Sequence, residues 1–457
     1  MPRLAVTISG AAFAALLAVS GPSAANDRDA AAPSPQGLAR ITSFFDEEVA
    51  SGRLPGAVLL IQQHGRPVYF RCFGFRDATI GAPMTADTLF AIRSMTKPIT
   101  SVAALMLLDQ GKLSLDDPVS KFIPSFGGVK VGIESVDANG KPAFKLVDPD
   151  RPVTVADLLR HTAAISYVYV GGALTREAYA NARLFDGHID NAEFAERIAR
   201  LPLARQPGKV WRYGHATDVL GRVIEVISGQ SLYQFMRANI LEPMGMRDTK
   251  FVLETDAERA RMAEGLPTDT VLMASERERR AHPEWESGGG GLVSTAADYA
   301  RFAQMLLNGG ELDGKRYLEA ATFKLMTTDQ IGPDSGVARD WFYYPGDGFG
   351  FSYGLAVRTD LVSGKPPLPG SLGELNWFGG GGTAFVVDPK RDMIYIQLQQ
   401  TDRERARMAR DFRKLVYDAF ADGPFAPASQ AAAESGPCRS VPPQPAASEP
   451  VAGATGR

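Results

Sequence analysis

Phe90-Ala91-Ile92-Arg93-Ser94-Met95-Thr96-Lys97-Pro98 sets a hydroxyl and an amine three residues apart where the chain reads as the start of a helix. Residues at i and i+3 share one helix face, so a helix beginning at Ser94 brings the Lys97 ammonium within reach of the Ser94 oxygen. A serine hydroxyl is a weak nucleophile until a positioned base removes its proton, and lysine can be that base where burial and a helix N-terminus lower its pKa. Pro98 agrees with the placement, because proline fits only the first helical turn, whose N–H groups have no intrahelical partner. Ile99, Val102, Ala103, Met106 and Leu107 then carry an apolar stripe to a stop at Gly111. Ser-x-x-Lys also arises by chance about once in a chain of this length, so an ordinary helix start is the competing reading.

The bulk composition narrows the choice of function. A chain of 457 residues with 45% apolar content can bury a large core, and its net charge of -3 comes from mixed acids and bases. Nucleic acid is therefore not expected as a partner, since that would call for a clustered basic excess. Arg3, the apolar run Ala5 to Val19 and Ser23-Ala24-Ala25 have the make-up of a cleaved export signal over 1–25. The run is short for a membrane span, so no stable membrane insertion is expected once it is removed, and the expected location is periplasmic or secreted. Cys72 and Cys438 are the two cysteines; export permits a disulfide between them but nothing in the sequence requires one. Two cysteines and five scattered histidines give no metal-ligand spacing, so neither metal nor cofactor is expected.

Taken in order, a polar leader over 26–35 precedes a helical pattern from Leu38 to Val49. Ala57 to Ile61 and Val68 to Cys72 read as paired strands joined by a turn at His64-Gly65-Arg66-Pro67, which makes His64 a turn residue. From about 100 to 312 the pattern is mainly helical. Thr154-Val155-Ala156-Asp157 begins a helix with a capping box, and Gly127 to Asp150 reads as a surface hairpin. Trp211-Arg212-Tyr213-Gly214-His215 precedes a further helix that ends at Gly229. Gly288 to Gly291 lacks the Gly-Lys-Ser/Thr ending of a phosphate loop and reads as a close backbone approach. Gly350 to Arg358, Thr383 to Val387 and Met393 to Leu398 read as strands, followed by a helix from about Arg403 to Phe420. Strands from both chain ends with helices between them predict one α/β domain over 36–422: an antiparallel sheet covered by the terminal helices, plus an inserted helical lobe. The Ala/Pro/Ser-rich tail over 423–457 is too poor in apolar residues to fold.

Gly350-Phe351-Ser352-Tyr353-Gly354 matches Gly-x-Ser-x-Gly, the nucleophile elbow of another hydrolase fold. That fold places its histidine after the serine, whereas all five histidines here precede Ser352. It also needs a helix directly after the serine, and Leu355 to Arg358 reads as strand. Ser94 is therefore preferred.

Ser94-Met95-Thr96-Lys97, then Tyr213-Gly214-His215, then Trp377-Phe378-Gly379 ahead of a strand, resembles the three-motif signature of the serine β-lactamase and penicillin-binding-protein superfamily. The likeness runs from about Gln36 to Ala421 and is greatest to class C β-lactamases and family VIII carboxylesterases. It implies the β-lactamase/transpeptidase-like fold. It also implies that Ser94 forms an acyl-enzyme, that Lys97 helps remove its proton, and that Tyr213 relays protons to the leaving group and from the hydrolytic water. The oxyanion hole would be the backbone N–H groups of Ser94 and Gly380.

The departures bear on substrate. β-Lactamases usually carry Asn where this chain has His215, and Lys where it has Trp377. Without that cation the site lacks the evident partner for a β-lactam or peptide carboxylate, whose unpaired burial is costly. Trp377, Phe378 and Gly379 are expected at the substrate, with His215 either a substrate contact or a structural hydrogen-bonder. The reading is an exported serine hydrolase acting on carboxylic esters or related small acyl substrates. A β-lactamase or D-Ala-D-Ala-type peptidase, with Arg93 or Arg358 supplying the cation, is the alternative enzyme; a non-catalytic envelope-binding protein is the alternative of another class.

Overall fold

Ala57 to Ile61 is apolar without alternation because both faces of its strand are covered. In Gly56–Gln63 (β1), Ala57, Leu59 and Ile61 pack with Ile41, Phe45, Phe412 and Val416 of the terminal helices, whereas Val58 and Leu60 join the larger core on the other face. Each such side chain removed from water contributes about 1.5–3 kcal/mol, so the strand is fixed from both sides. The computed structural model describes residues 32–421 apart from 365 and 366, together with Cys438. The expected signal, the tail and the leader up to residue 31 lie outside the described residues, Cys438 excepted.

β1 turns through His64 (φ 51°) and Gly65 (φ 72°) into Arg66–Asp77 (β2), with Ala82–Pro83 (β3) as a short edge. On the other side β1 pairs antiparallel with Met393–Gln399, Leu60 opposite Ile396. Ala384–Asp388, Leu375–Phe378, Ala356–Arg358 and Phe349–Phe351 follow outward, giving an eight-stranded antiparallel sheet built from both chain ends. Pro35–Ala50 (α1) and the terminal helix Arg405–Ala421 pack together on its outer face. α1 starts inside the expected leader: Ser34 caps it by accepting the Gly37 N–H, and the Ser34 N–H donates to Ala419 O.

Gly350 to Arg358 is a correction. It is a hairpin, not one strand, because Ser352 to Leu355 forms a turn closed by Ser352 N–H to Leu355 O at 2.8 Å and by Gly354 at φ 96°. The apolar composition concealed the turn. Ser352 is fully buried there, and its hydroxyl donates to the same carbonyl.

The inner face carries the helical lobe. Thr96–Asp109 (α2) packs against the helix Ala216–Ser228, which also contacts Val155–Leu159 (α3). α3 opens with the expected capping box between Thr154 and Asp157, and Val131–Val136 pairs with Pro142–Val147 as the expected surface hairpin. Cys72, on β2, is disulfide-bonded to Cys438 across 366 positions, a pairing the sequence left open. Among the described residues no helix is long and apolar enough to cross a membrane.

Candidate active site

Phe90–Ala91 pairs with Val293–Ser294, and the chain then bends through Arg93 at φ 49° into a 3₁₀ turn, Arg93–Met95, that runs directly into α2. The start is thus tighter than the α-helix expected from Ser94, yet the i,i+3 relation survives. The turn is held by Tyr299, whose hydroxyl donates to Met95 O at 2.9 Å, and by Ile92 N–H to Leu292 O at 3.1 Å. Lys97 lies 3.3 Å from the Ser94 oxygen and also donates to Tyr167 Oη at 3.1 Å and Gly289 O at 2.6 Å. It is 1% exposed, and burial, opposed by the Asp218 carboxylate, lowers its pKa from 10.5 to about 8.

Two partners of Lys97 had no sequence signal. Tyr167 lies in the loop after α3, and Gly289 belongs to the glycine run. The close-approach reading of that run fits the geometry: a Cβ on Gly289 would lie 2.7 Å from Asp218 Oδ2, and one on Gly288 would lie 2.7 Å from Thr217 O. Asp218 is the hub beneath. It accepts from Ser287 Oγ at 2.5 Å and Gly289 N–H at 2.9 Å, and pairs with His215 Nδ1 at 2.8 Å. Burial alone would raise its pKa, but His215, Lys97 and Ser287 hold it below the ordinary carboxylate value. His215 is buried, and its ring packs against Tyr167, Phe194 and Phe185.

Tyr213 reaches the same pocket from the end of the strand Val210–Trp211, its ring 4.7 Å from the Lys97 nitrogen. Its hydroxyl is buried without a hydrogen-bond partner of good geometry; burial raises its pKa above the ordinary value, only partly opposed by the nearby Ser94 hydroxyl and Trp377 indole. His161 packs 4.8 Å from the Tyr213 ring and stays neutral, because burial and the Lys97 charge push its pKa well below the usual value.

Leu375–Phe378 lies beside the Arg93–Met95 turn. Gly379 N–H donates to Thr383 O at 2.7 Å, the Thr383 hydroxyl donates to Ile92 O at 3.2 Å, and a Cβ on Gly379 would sit 2.3 Å from that same carbonyl. Only glycine permits this approach. The Gly380 N–H is left without a partner among the described residues, as an oxyanion donor requires. Trp377 is 1% exposed and packs 5.6 Å from Tyr213, so it forms an inner wall, whereas Phe378 is half-buried and faces Tyr344 at 5.8 Å. The two cations considered for a substrate carboxylate do not serve. Arg93 pairs with Glu276 at 3.0 Å, and Arg358 is buried against Phe349 and donates to Leu368 O.

The site therefore brings together Ser94, Lys97, Tyr213 and the Gly380 turn, in a pocket that can activate a hydroxyl and stabilise an oxyanion. A family model described as Beta-lactamase matches residues 41–418. An uncharacterized protein of Mycobacterium tuberculosis is 37% identical over 366 residues, covering 77% of this chain and 86% of that protein. Esterase EstB of Burkholderia gladioli is 32% identical over 392 residues, 80% of this chain and 91% of EstB. Among solved structures, EstCE1, described as a hydrolase with promiscuous acyltransferase activity, superposes with a TM-score of 0.68 at 27% identity, over 84% of this chain and 99% of EstCE1.

Proposed function

The chain belongs to the Beta-lactamase family and is a serine hydrolase; from that premise we propose that it cleaves small carboxylic esters through a covalent acyl-enzyme on Ser94. The observation that carries the reading is Lys97: fully buried, with its pKa lowered to about 8, and 3.3 Å from the Ser94 oxygen. Neutral Lys97 takes the Ser94 proton as the oxygen attacks the ester carbonyl. The resulting oxyanion is stabilised by the N–H groups of Ser94 and Gly380. Collapse breaks the bond to the leaving alkoxide, which receives a proton from Tyr213, itself resupplied by Lys97. Water then enters, gives its proton to the same pair, and releases the acid.

Esters are favoured over β-lactams because Trp377 stands where a cation would hold the lactam carboxylate. A second reading, transfer of the acyl group to an alcohol instead of water, is supported by the likeness to EstCE1, described as a hydrolase with promiscuous acyltransferase activity. Export to an oxidising compartment is part of the proposal, since a Cys72–Cys438 disulfide persists there. The test is hydrolysis of p-nitrophenyl butyrate and nitrocefin by the mature protein and by Ser94→Ala. Ester turnover lost in the variant, with little nitrocefin cleavage, is expected. Turnover surviving Ser94→Ala would remove Ser94 as nucleophile, and strong nitrocefin cleavage would reverse the substrate preference.

A further inference from the structure

Because the Tyr213 hydroxyl has no hydrogen-bond partner of good geometry, the packing of its ring decides where that hydroxyl stands. One wall of the packing arrives from far along the chain. Between Gly336 (φ 69°) and Gly346 (φ 77°), residues 337–345 form a strap across the strand Val210–Trp211. Ala338 and Arg339 pair in parallel with Val210 and Trp211, and the Ala338 N–H donates to Lys209 O at 2.8 Å. Tyr343 then meets the Trp211 ring at 4.9 Å, and Tyr344 meets the Tyr213 ring at the same separation.

Two residues of parallel pairing hold a strap weakly. Arg212 supplies a second hold. Side chains alternate along an extended chain, so with Trp211 and Tyr213 stacked 5.8 Å apart, Arg212 between them leaves by the opposite face. Its guanidinium meets the Asp340 carboxylate of the strap at 2.8 Å, and both side chains are buried. The contact is an ion pair and not a well-directed hydrogen bond, since Asp340 Oδ2 and Arg212 Nε and Nη1 lack hydrogen-bond partners of good geometry. Burial lowers the Arg212 pKa, and Asp340 is the largest charge opposing that shift. A buried charge is costly to leave unpaired, so the pair fastens the strap to the residue that directly precedes Tyr213. Arg212 also abuts the loop that presents Tyr167 to Lys97: a Cβ on Gly171 would lie 2.8 Å from Arg212 Nη1.

Resting on the ester reading above, we propose that Arg212 and Asp340 are positioning residues for departure of the leaving group. Their ion pair clasps the strap onto the strand, and Tyr344 in turn holds the Tyr213 hydroxyl where the departing alkoxide takes its proton. In that step the bond between the carbonyl carbon and the alkoxy oxygen breaks, and its electron pair stays on the oxygen. The Tyr213 proton then moves to that oxygen, and Lys97 resupplies Tyr213. Arg212 and Asp340 act through Tyr213 and do not meet the substrate.

The test separates proton donation from folding. p-Nitrophenolate leaves as a stable anion, whereas ethoxide leaves readily only as it takes a proton, and both butyrate esters give the same butyryl-enzyme. For each ester kcat/KM reports acylation; measured on one preparation of the mature protein, the two values give a ratio from which any loss of folded fraction cancels. Tyr213→Phe should lower the ethyl-to-nitrophenyl ratio about a hundredfold, and Asp340→Asn and Arg212→Gln should each lower it about tenfold or more. Arg212→Lys, which keeps the charge, should recover part of the ratio, and Asp347→Asn, exposed just beyond Gly346, should leave it at the wild-type value. A wild-type ratio in both Asp340→Asn and Arg212→Gln would overturn the positioning role, as would a wild-type ratio in Tyr213→Phe. Ester turnover that persists in Ser94→Ala would instead overturn the ester reading, and this inference with it.

Discussion

Replacing Lys97 by methionine separates the charge of that side chain from its bulk and gives a quantitative check on the proposed base. In the folded protein the ammonium is buried and its pKa lowered from 10.5 to about 8. Between those two values the unfolded chain binds a proton that the folded chain does not, so stability rises with pH across that window. At about 1.4 kcal/mol per pH unit, the interval amounts to about 3 kcal/mol. Urea unfolding of wild type and Lys97→Met at pH 7, 8, 9 and 10 should therefore show the wild type gaining on the variant steadily above pH 8, with the difference flat below it. Taking the difference between the two proteins cancels the buried tyrosines, whose raised pKa values erode stability in both above pH 10. In the wild type, kcat/KM for p-nitrophenyl butyrate should climb with pH and level off above about 8, as Lys97 becomes neutral. A stability difference independent of pH from 7 to 10 would mean that Lys97 keeps an ordinary pKa, and the base assignment would fail.

Other substitutions read the neighbouring geometry. Tyr213→Phe removes a buried hydroxyl that has no partner, so thermal stability should hold or rise by up to about 1 kcal/mol, while ester kcat falls by about a hundredfold or more. Equal losses of stability and activity would make Tyr213 structural. Gly379→Ala would drive a methyl to 2.3 Å from Ile92 O; the strand end must shift, and both the melting temperature and ester turnover should drop. Cys438→Ser opens the link to β2 and should cost about 2–4 kcal/mol, seen as a lower melting temperature that a reductant no longer changes, with kcat/KM preserved.

Much of the site was legible because its decisive relation is local. Ser94 and Lys97 meet through one turn of backbone, and Thr154 caps its helix through a neighbour three residues away. The sheet strands were legible where apolar runs are bounded by turn residues. The hairpin at Ser352 to Leu355 was not, since its turn lies inside an apolar run and is closed by the Gly354 conformation and a buried hydroxyl. The first turn of α1 was missed because Pro35 and Ser34 look like leader until Ala419 closes over them.

The sequence by itself determined the closeness of Ser94 to Lys97 and the two-ended sheet, because each is written in spacing along the chain, and it carried in order the three motifs on which the family resemblance rests. Only the tertiary structure decided what gives Lys97 its chemistry. Tyr167 and Gly289 reach it from 70 and 192 positions away, and Asp218 anchors the glycine run beneath it. Desolvation and charge pairing depend on distance through space, and folding alone fixes which distant groups exclude water from the same few ångströms.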